Sequence, residues 1–494
     1  MSTPGASWAT GVPGLDLLLG GGLDRNALVT IVGPPGAGKT VLASHMLFHA
    51  VQQGARGLIL TVYAEDHSKL LAHLRPFAFF NEAALGDTVT LVSLPSLLGQ
   101  SLDTAISAIT TTMRESEAQV VMLDGFQGVA DQLGDVLLVR RLLAAVATQL
   151  SYLNVTLLLT LTGTLRDEQL MNGMTSADVV LGLHYHLEGI WHRRRLEVLK
   201  QRGRGQLPGA HSYTITRTGV TITPQLEVRA PQLVQPRPTG RLAFQVAELD
   251  QLLGGGLIAG TTTLVVGAPG TGKTMLGLHW ALAAAEPTGT SIFLSFDERL
   301  PELQLKADFL GLPLAPALET GAFTLLQLNP VQLNPDEVAE RVLAALTPTT
   351  RRVVIDNAGL IVKVLGARTG DYLAALMHHL YTAGVTTLFL VEIRAFAGLQ
   401  FDVTDTPLSI LADNVIILQQ VLAQRAVHRV LAVLKMRFSW FEPTLRELLI
   451  DAQGVRVLPP AQSAPGVLEA AADASGMTAP LEDNLREHEP DAEL

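Results

Sequence analysis

The amino-acid sequence contains one long internal repeat. The stretch from Gly14 to Leu23 returns from Glu248 to Leu257, and the stretch from Val29 to Thr40 returns from Thr263 to Thr274. Both matches are shifted by 234 residues, and later matches keep this register to within a few residues. Each copy is long enough to bury a core of its own. The repeat therefore predicts two copies of one domain.

Changes in composition predict the domain boundaries. We assign residues 1–230 to the first domain, the proline-rich stretch 231–240 to a linker, and residues 241–458 to the second domain. After Pro459 the chain is rich in alanine, proline and acidic residues, with few apolar side chains to bury. The segment 459–494 is therefore predicted to be a disordered acidic tail.

Hydrophobic patterning predicts the fold class. Near-continuous apolar segments such as 28–32 and 155–160 alternate with longer amphipathic segments such as 41–52 and 136–150. Apolar strands between helices are typical of a parallel sheet covered on both faces. We predict an α/β fold in each copy, with a mostly parallel sheet covered by helices, closed by strand-like segments rich in turns.

Composition excludes several classes of protein. The chain has no cysteine, so disulfides and thiol chemistry are excluded. Its apolar runs, such as 155–161, are shorter than the roughly 18–20 residues that a membrane-spanning helix needs, and we expect no association with a membrane. Because the amino terminus lacks the pattern of a secretion signal, the expected location is cytoplasmic. The net charge of −11 makes nucleic acid an unexpected partner.

Each copy contains a phosphate-binding loop, or P-loop, with the pattern G-x-x-x-x-G-K-[ST], at 33–40 and 267–274. Glycines allow backbone N–H groups to surround a phosphate, the lysine reaches the β and γ oxygens, and the threonine hydroxyl ligates Mg²⁺. The pattern predicts that ATP and Mg²⁺ are cofactors. The residues predicted to bind the nucleotide are Gly33, Gly36, Ala37, Gly38, Lys39 and Thr40, and Gly267, Gly270, Thr271, Gly272, Lys273 and Thr274.

A P-loop also needs a second magnesium ligand, usually an acid at the end of an apolar strand. Asp124 ends the apolar run 120–124, 85 residues after Lys39, and Asp356 ends the run 353–356, 83 residues after Lys273. The matched spacing predicts that Thr40 with Asp124, and Thr274 with Asp356, hold the metal.

Hydrolysis requires a carboxylate that orients water on the γ-phosphate. Glu65 follows the strand after the first P-loop helix, and Asp297 and Glu298 follow the corresponding strand in the second copy. When the copies are aligned, Glu65 pairs with Glu298, and Ala64 stands opposite Asp297. These three acids are the predicted catalytic carboxylates, of which the first copy has lost one.

A Lys-x-Arg pair recurs after a late strand in both copies, as Lys200 and Arg202 and as Lys435 and Arg437. Residues two apart on an extended chain project to the same side. Two interpretations remain open. The pairs are either a solvated edge that prevents strand pairing or a γ-phosphate clamp that reaches the nucleotide of a neighbouring subunit.

Taken together, these residues resemble the KaiC-like branch of the RecA/RadA ATPase superfamily over about residues 10–455. The most specific features are the entry motif 11–16 with the glycines at 20–22, the acids after the second strand, and the Lys-x-Arg pairs. The resemblance implies two tandem RecA-like P-loop domains and a homo-hexamer with Mg-ATP between subunits. Glu65 and Glu298 would orient water, and the Lys-x-Arg pairs would reach a neighbour's nucleotide.

The sequence departs from this family in two places. The family's autophosphorylating branch has an adjacent serine–threonine pair shortly before an aspartate, whereas here Ser409 is followed by Ile410. Ser409 is the candidate phosphorylation site, and a two-site phosphorylation cycle is excluded. The second departure is Phe438, which follows Arg437 where the family usually has glycine.

Three functional hypotheses follow. The first is a slow, hexameric P-loop ATPase that acts as a signalling or clock-like switch with protein partners, and with serine autokinase activity at Ser409. The second is a RadA-like recombinase accessory protein that binds single-stranded DNA through the basic cluster 192–195 with Arg202 and Arg204. In the third, one copy binds ATP without hydrolysing it, and the departures at Ala64 and Phe438 point to different copies.

Overall fold

The computed structural model describes residues 7–61, 67–93, 102–129, 136–164, 174–188, 191–231, 233–235, 239–283, 289–393 and 411–474. The chain forms two compact units, Met1–Arg229 and Ala230–Leu494. Each unit is described by itself below, as unit one and unit two.

Unit one contains eleven described strands and five described α-helices. Its strands are β1 (Ser7–Trp8), β2 (Leu23–Asp24), β3 (Leu28–Gly33), β4 (Gly57–Thr61), β5 (Val89–Ser93), β6 (Val120–Asp124), β7 (Thr156–Thr162), β8 (Val179–Glu188), β9 (Trp191–Gln201), β10 (Ala210–Thr216) and β11 (Gly219–Thr223). Its helices are α1 (Leu15–Leu18), α2 (Lys39–Gln52), α3 (His67–Leu74), α4 (Leu102–Glu115) and α5 (Val136–Leu153). Single 3₁₀ turns occupy Glu82–Ala84, Met174–Ser176 and Leu226–Val228.

Nine of these strands form one sheet in the order β11-β10-β9-β8-β3-β7-β6-β4-β5. The six strands from β8 to β5 are parallel, and the β8–β9, β9–β10 and β10–β11 pairs are antiparallel. Every residue of β3 is buried, because hydrophobic clusters cover both faces of the sheet. One cluster packs against α2, and the other packs against α4 and α5.

Unit two repeats this arrangement. Its strands are β12 (Arg241–Leu242), β13 (Leu257–Ile258), β14 (Thr262–Gly267), β15 (Thr290–Ser295), β16 (Phe323–Gln327), β17 (Thr350–Asp356), β18 (Thr386–Glu392), β19 (Asn414–Ala423), β20 (Ala426–Met436), β21 (Arg446–Asp451) and β22 (Gly454–Val457). Its helices are α6 (Ala247–Leu252), α7 (Lys273–Leu282), α8 (Leu300–Phe309), α9 (Leu314–Glu319), α10 (Pro335–Ala345), α11 (Ala358–Leu365), α12 (Thr369–Thr382) and α13 (Val467–Ala474). The 3₁₀ turns are Pro330–Gln332, Gly366–Arg368 and Pro460–Gln462.

The second sheet has the order β16-β15-β17-β18-β14-β19-β20-β21-β22. Its six strands from β16 to β19 are parallel, and the remaining pairs are antiparallel. The prediction of tandem α/β domains with mostly parallel, helix-covered sheets is confirmed. In both sheets the strand that leads into the P-loop lies two places from the strand that ends in the predicted magnesium ligand. The carboxyl ends of these strands share one edge, which places the two motifs together.

The entry motif has a structural role in both units. The Asp16 carboxylate accepts a hydrogen bond from the backbone N–H of Thr10 at 3.0 Å, and Asp250 accepts bonds from Phe244 and Val246 at 2.7 and 3.2 Å. Burial raises the pKa of Asp250, and these backbone N–H groups oppose that rise. The acid of the motif therefore holds the chain that enters each domain.

The predicted disorder of the acidic tail is wrong for its first part. Residues 459–474 form a 3₁₀ turn followed by α13, whose Val467 and Ala471 are buried against Val421 and Val430 of the β19–β20 hairpin. The Glu447 carboxylate also accepts a hydrogen bond from the backbone N–H of Ala464 at 2.8 Å. Scattered apolar residues thus sufficed, because the hairpin offers them an apolar surface. Residues 475–494 lie outside the described part of the chain.

Candidate functional site

Both P-loops form the same tight turn between a buried strand and a helix. In unit one, Gly36 and Gly38 have left-handed φ angles of 78° and 90°, and in unit two Gly270 and Gly272 have φ angles of 78° and 100°. This conformation strains residues that carry a Cβ. A Cβ on Gly38 would also lie 2.3 Å from the Cδ1 atom of Ile215. The turn at the start of each helix is the backbone arrangement that binds phosphate.

The lysine of each P-loop bends back into its own loop. It donates hydrogen bonds to the carbonyl oxygens of the first two loop residues, at 2.9 and 3.1 Å for Lys39 and at 2.9 and 2.8 Å for Lys273. Burial lowers the pKa of both lysines, and the nearby carboxylates partly oppose this by favouring the charged form. Each ammonium group can exchange these carbonyls for phosphate oxygens at the same place.

The predicted magnesium ligands meet in both units. The Thr40 hydroxyl donates to the two Asp124 carboxylate oxygens at 3.0 and 3.2 Å, and the Thr274 hydroxyl donates to Asp356 at 2.7 Å. A hydroxyl beside a carboxylate, at the start of a phosphate-binding helix, is the hard oxygen donor set that Mg²⁺ prefers. The residues present therefore fit the ion.

The carboxylate of unit two lies in the more strongly charged environment. Burial raises the pKa of Asp356 to about 6, the hydrogen bond from Thr274 opposes that rise, and the nearby carboxylates of Glu298 and Asp297 add to it. A divalent cation would compensate this concentration of negative charge, which is a second indication that the site suits Mg²⁺.

The predicted catalytic acids of unit two follow β15. Glu298 is half-buried and forms an ion pair with Lys306, and its backbone N–H donates to the Ser295 hydroxyl at 3.1 Å. Asp297 is exposed beside it. Since Ser295 is paired with Asp356 in the sheet, Glu298 lies next to the metal-binding edge. Glu65, its predicted counterpart in unit one, lies outside the described residues.

The Lys-x-Arg pair of unit one lies at the opposite edge of its sheet from the P-loop. Lys200 and Arg202 donate to one carbonyl oxygen, that of Thr175, at 2.8 and 3.0 Å. Arg202 also contacts Asp178, whose other carboxylate oxygen accepts from the backbone N–H of Leu28 at 2.9 Å. Leu28 begins β3 and the P-loop follows its end, so about 17 Å of strand separates them at ~3.3 Å per residue.

Unit two shows the same placement. Lys435 donates to the carbonyl oxygen of Ala412 at 2.7 Å, and Arg437 lies 3.7 Å from the Asp413 carboxylate. Asp413 accepts a hydrogen bond at 3.0 Å from the backbone N–H of Thr262, at the start of β14. Neither pair therefore reaches the P-loop of its own unit. Ser409, the candidate phosphorylation site, lies outside the described residues.

Comparison with known proteins identifies the family. The model of the KaiC ATPase family matches the chain twice, at residues 8–227 and 243–462. The chain belongs to the KaiC ATPase family. It is 25% identical over 463 residues to the circadian clock oscillator protein KaiC of Picosynechococcus sp., covering 90% of this chain and 88% of that one. It is 26% identical over 479 residues to the circadian clock protein KaiC3 of Synechocystis sp., covering 93% of each.

Membership of the KaiC family makes the chain a nucleotide-binding P-loop ATPase. The structure is consistent with this in one further respect, because none of the helices in the described ranges is both long and apolar enough to cross a membrane. A cavity of about 510 Å³ opens beside the first P-loop, and its walls include Lys39, Thr40 and Asp124.

Sequence reasoning missed one arginine at each P-loop of this KaiC-family chain. Arg194 donates to the carbonyl oxygen of Gly36 at 3.5 Å and lies 4.6 Å from the centre of the Tyr185 ring. Arg429 donates to the carbonyl oxygen of Gly270 at 3.1 Å. Arg194 belongs to the basic cluster that was considered for DNA binding, whereas the structure places it beside the phosphate-binding loop. Its recurrence at a shift of 235 residues was the signal that could have identified it.

Proposed function

We propose that the chain is a Mg-ATP-hydrolysing switch that works as a ring of identical subunits, most simply a hexamer, with protein partners that read its state. Bound Mg²⁺ would bridge the β- and γ-phosphates and compensate the charge that develops during transfer. Thr40 with Asp124, and Thr274 with Asp356, would hold the ion. Glu65 and Glu298 would orient the attacking water, and the P-loop lysines would bind the phosphates.

The observation that carries the ring is the position of the Lys-x-Arg pairs. In both units they lie at the sheet edge opposite the P-loop, where they cannot contact the nucleotide of the same domain. A second copy whose P-loop edge docks against this edge would receive two cations at its γ-phosphate. Arg202 and Arg437 are exposed, with only weak ion pairs to exchange for such a contact.

Within this proposal Glu298 needs to leave Lys306 to act on water. The Glu298 Oε2 atom is buried and has no hydrogen-bond partner in the described structure, so the carboxylate already presents one oxygen that can accept from water. Kinase activity at Ser409 is part of the proposal on sequence grounds alone, since that residue lies outside the described ranges.

Mixing two inactive variants tests the ring. One variant carries Lys39→Ala and Lys273→Ala, and loses both P-loops. The other carries Arg202→Ala and Arg437→Ala, and loses both clamps. If the clamps act between subunits, a one-to-one mixture regains about a quarter of the wild-type phosphate release, because about one interface in four then pairs an intact P-loop with an intact clamp.

Each variant alone is the control and stays at its own low rate. Subunits must exchange for the assay to work, which mass measurement of a tagged and an untagged variant in Mg-ATP verifies. A mixed assembly with no gain in phosphate release contradicts clamping between subunits. Mass measurement that finds only monomers in Mg-ATP contradicts the ring itself.

A further inference from the structure

Unit one contains a second cavity, at the edge of the sheet opposite the P-loop. Its volume is about 310 Å³. The walls come from Trp8 of β1, from Arg25 and Asn26 before β3, and from residues that precede β6 and β7. This volume is at the lower end of the range of small-molecule sites. Neither the ATPase reaction nor the clamps at this edge use the cavity.

Two polar atoms of the cavity wall lack partners. The indole Nε1 of Trp8 and the side-chain Oδ1 of Asn26 are both buried, and neither has a hydrogen bond to any described residue. A buried donor or acceptor without a partner costs about 1–3 kcal/mol. A ligand that offers an acceptor to the indole and a donor to the amide would remove both costs.

The remaining polar groups restrict the ligand further. Arg25 is the one charged side chain among the described residues of the wall, so the site disfavours cations and suits a neutral or anionic molecule. Gln53, Gln119 and Asn154 add three amides. Amide side chains match the adjacent donor and acceptor on the edge of a purine base, and a guanidinium group suits a phosphate.

Unit two allows a direct comparison at the equivalent place. The backbone N–H of Asn26 donates to the Thr156 hydroxyl at 3.1 Å, and that of Gly260 donates to the Thr386 hydroxyl at 2.8 Å. These matched bonds show that Asn26 corresponds to Gly260. The amide that lines the cavity of unit one is therefore absent from the equivalent position of unit two.

The chain itself occupies part of this place in unit two. Arg352 replaces Val120, and its guanidinium lies 5.5 Å from the centre of the buried Trp280 ring. Gly384 replaces Asn154, and a Cβ added to it would lie 3.4 Å from the side-chain oxygen of Gln235. Large side chains of the protein thus stand where unit one has a polar cavity.

We infer that the cavity of unit one binds a purine nucleoside or nucleoside monophosphate, separately from both P-loops. The indole and amide groups would bind the base, and Arg25 would bind the phosphate of a monophosphate. A P-loop takes its affinity from the β- and γ-phosphates, which these ligands lack. The two kinds of site therefore have different ligands.

The test is calorimetric titration of the full chain carrying Lys39→Ala and Lys273→Ala with AMP and with adenosine. We expect one saturable site per chain, with AMP binding more tightly than adenosine. Trp8→Phe and Asn26→Gly should each weaken binding about tenfold, since each leaves one ligand group without its partner. Arg25→Gln should remove the preference for AMP. Because both P-loop lysines are already absent, the result is independent of the proposed ATPase mechanism.

Asn26→Gly is a mild replacement, because Asn26 has a left-handed φ of 63° that glycine adopts without strain. Gln245→Gly, at a φ of 60° in unit two, is the matched control and should leave AMP binding unchanged. An unchanged melting temperature and unchanged ATP turnover, in chains with intact P-loops, would show that Trp8→Phe and Asn26→Gly fold. The inference is overturned if neither ligand gives a saturable signal, or if binding is equally tight in Trp8→Phe and Asn26→Gly.

Discussion

The two metal-binding edges share one motif and differ in their neighbours. In unit one Asp124 is half-exposed and accepts hydrogen bonds from the hydroxyls of Thr40 and Thr160. In unit two the position of Thr160 is taken by Leu390, and Asp356 is buried near further carboxylates. Hydroxyls satisfy a carboxylate, whereas burial and like charges oppose its ionisation. The same threonine–aspartate pair is therefore relaxed in unit one and repelled in unit two.

A second difference lies one strand end away. Glu392 is paired with Gly267 at the start of the second P-loop, and its charge raises the pKa of Lys273. The residue paired with the first P-loop glycine, Gly33, is Thr162. Unit two thus carries more negative charge where a triphosphate would bind. This comparison teaches that a repeated motif does not ensure equal sites, because strand-end neighbours decide their charge.

The largest effect is expected from removing the catalytic acid of unit two. In a Lys39→Ala background, which leaves only the second site, Glu298→Gln should lower phosphate release about 100-fold, because an amide cannot accept a proton from water. Asp308→Asn, at an exposed acid of α8, is the matched control and should change the rate less than twofold. The reciprocal Lys273→Ala background with Glu65→Gln measures unit one. If Glu298→Gln has no effect there while the site turns over, Glu298 is not the catalytic acid.

The next effect concerns stability and depends on pH. The pKa of Asp356 in the folded chain, about 6, lies above its ordinary value of 3.8, so the folded state binds this proton more tightly than the unfolded chain does. Ionisation therefore removes stability as pH rises from about 4 to 6, and the full cost persists above 6. Without metal or nucleotide, Asp356→Asn should raise the free energy of unfolding of unit two at pH 8 by about 2–3 kcal/mol.

Urea unfolding of this variant and of the wild type between pH 4 and 8, in a chelator, measures that difference. The gain from Asp356→Asn should shrink toward zero as the pH falls to 4. Asp124→Asn is the matched change in unit one, where two hydroxyls already satisfy the carboxylate, and it should give no comparable gain. Equal gains at both aspartates would contradict the contrast between a relaxed and a repelled site.

The smallest effect is expected from exchanging the strand-end neighbours of the two P-loops. Glu392→Thr removes one negative charge near Lys273 and should tighten ATP binding by the second site about two- to threefold, since exposed charges interact weakly through water. Thr162→Glu should weaken binding by the first site to a similar extent. Fluorescent-nucleotide titrations in the single-site backgrounds measure both. Weaker binding after Glu392→Thr would mean that this carboxylate assists the nucleotide rather than opposing it.

Several features were predictable because they depend on short stretches of chain. The P-loops need only eight consecutive residues, and Asp124 and Asp356 each end an apolar strand whose direction the pattern indicates. Parallel sheets bury their strands on both faces, so apolar runs were sufficient to predict them. The P-loops and the tandem fold were for this reason within reach of the sequence.

Other features depended on contacts between distant segments. Arg194 meets Gly36 across 158 residues because the β8–β9 hairpin pairs Tyr185 with Arg194 beside the first P-loop. The sequence showed only a basic cluster. Likewise, residues 467–474 look too sparse in apolar side chains to fold, and they do so because the β19–β20 hairpin receives two of them.

The sequence by itself determined that this chain has two phosphate-binding loops, each with a threonine and an aspartate placed to share a metal ion, since local glycine geometry and strand ends fix those groups. Only the tertiary structure decided that the two aspartates differ in charge environment, that the Lys-x-Arg pairs lie at the far edge of each sheet, and that unit one alone combines an indole and an amide at a polar cavity. The physical reason is that charge, burial and reach are set by strands and loops adjacent in space but remote along the chain.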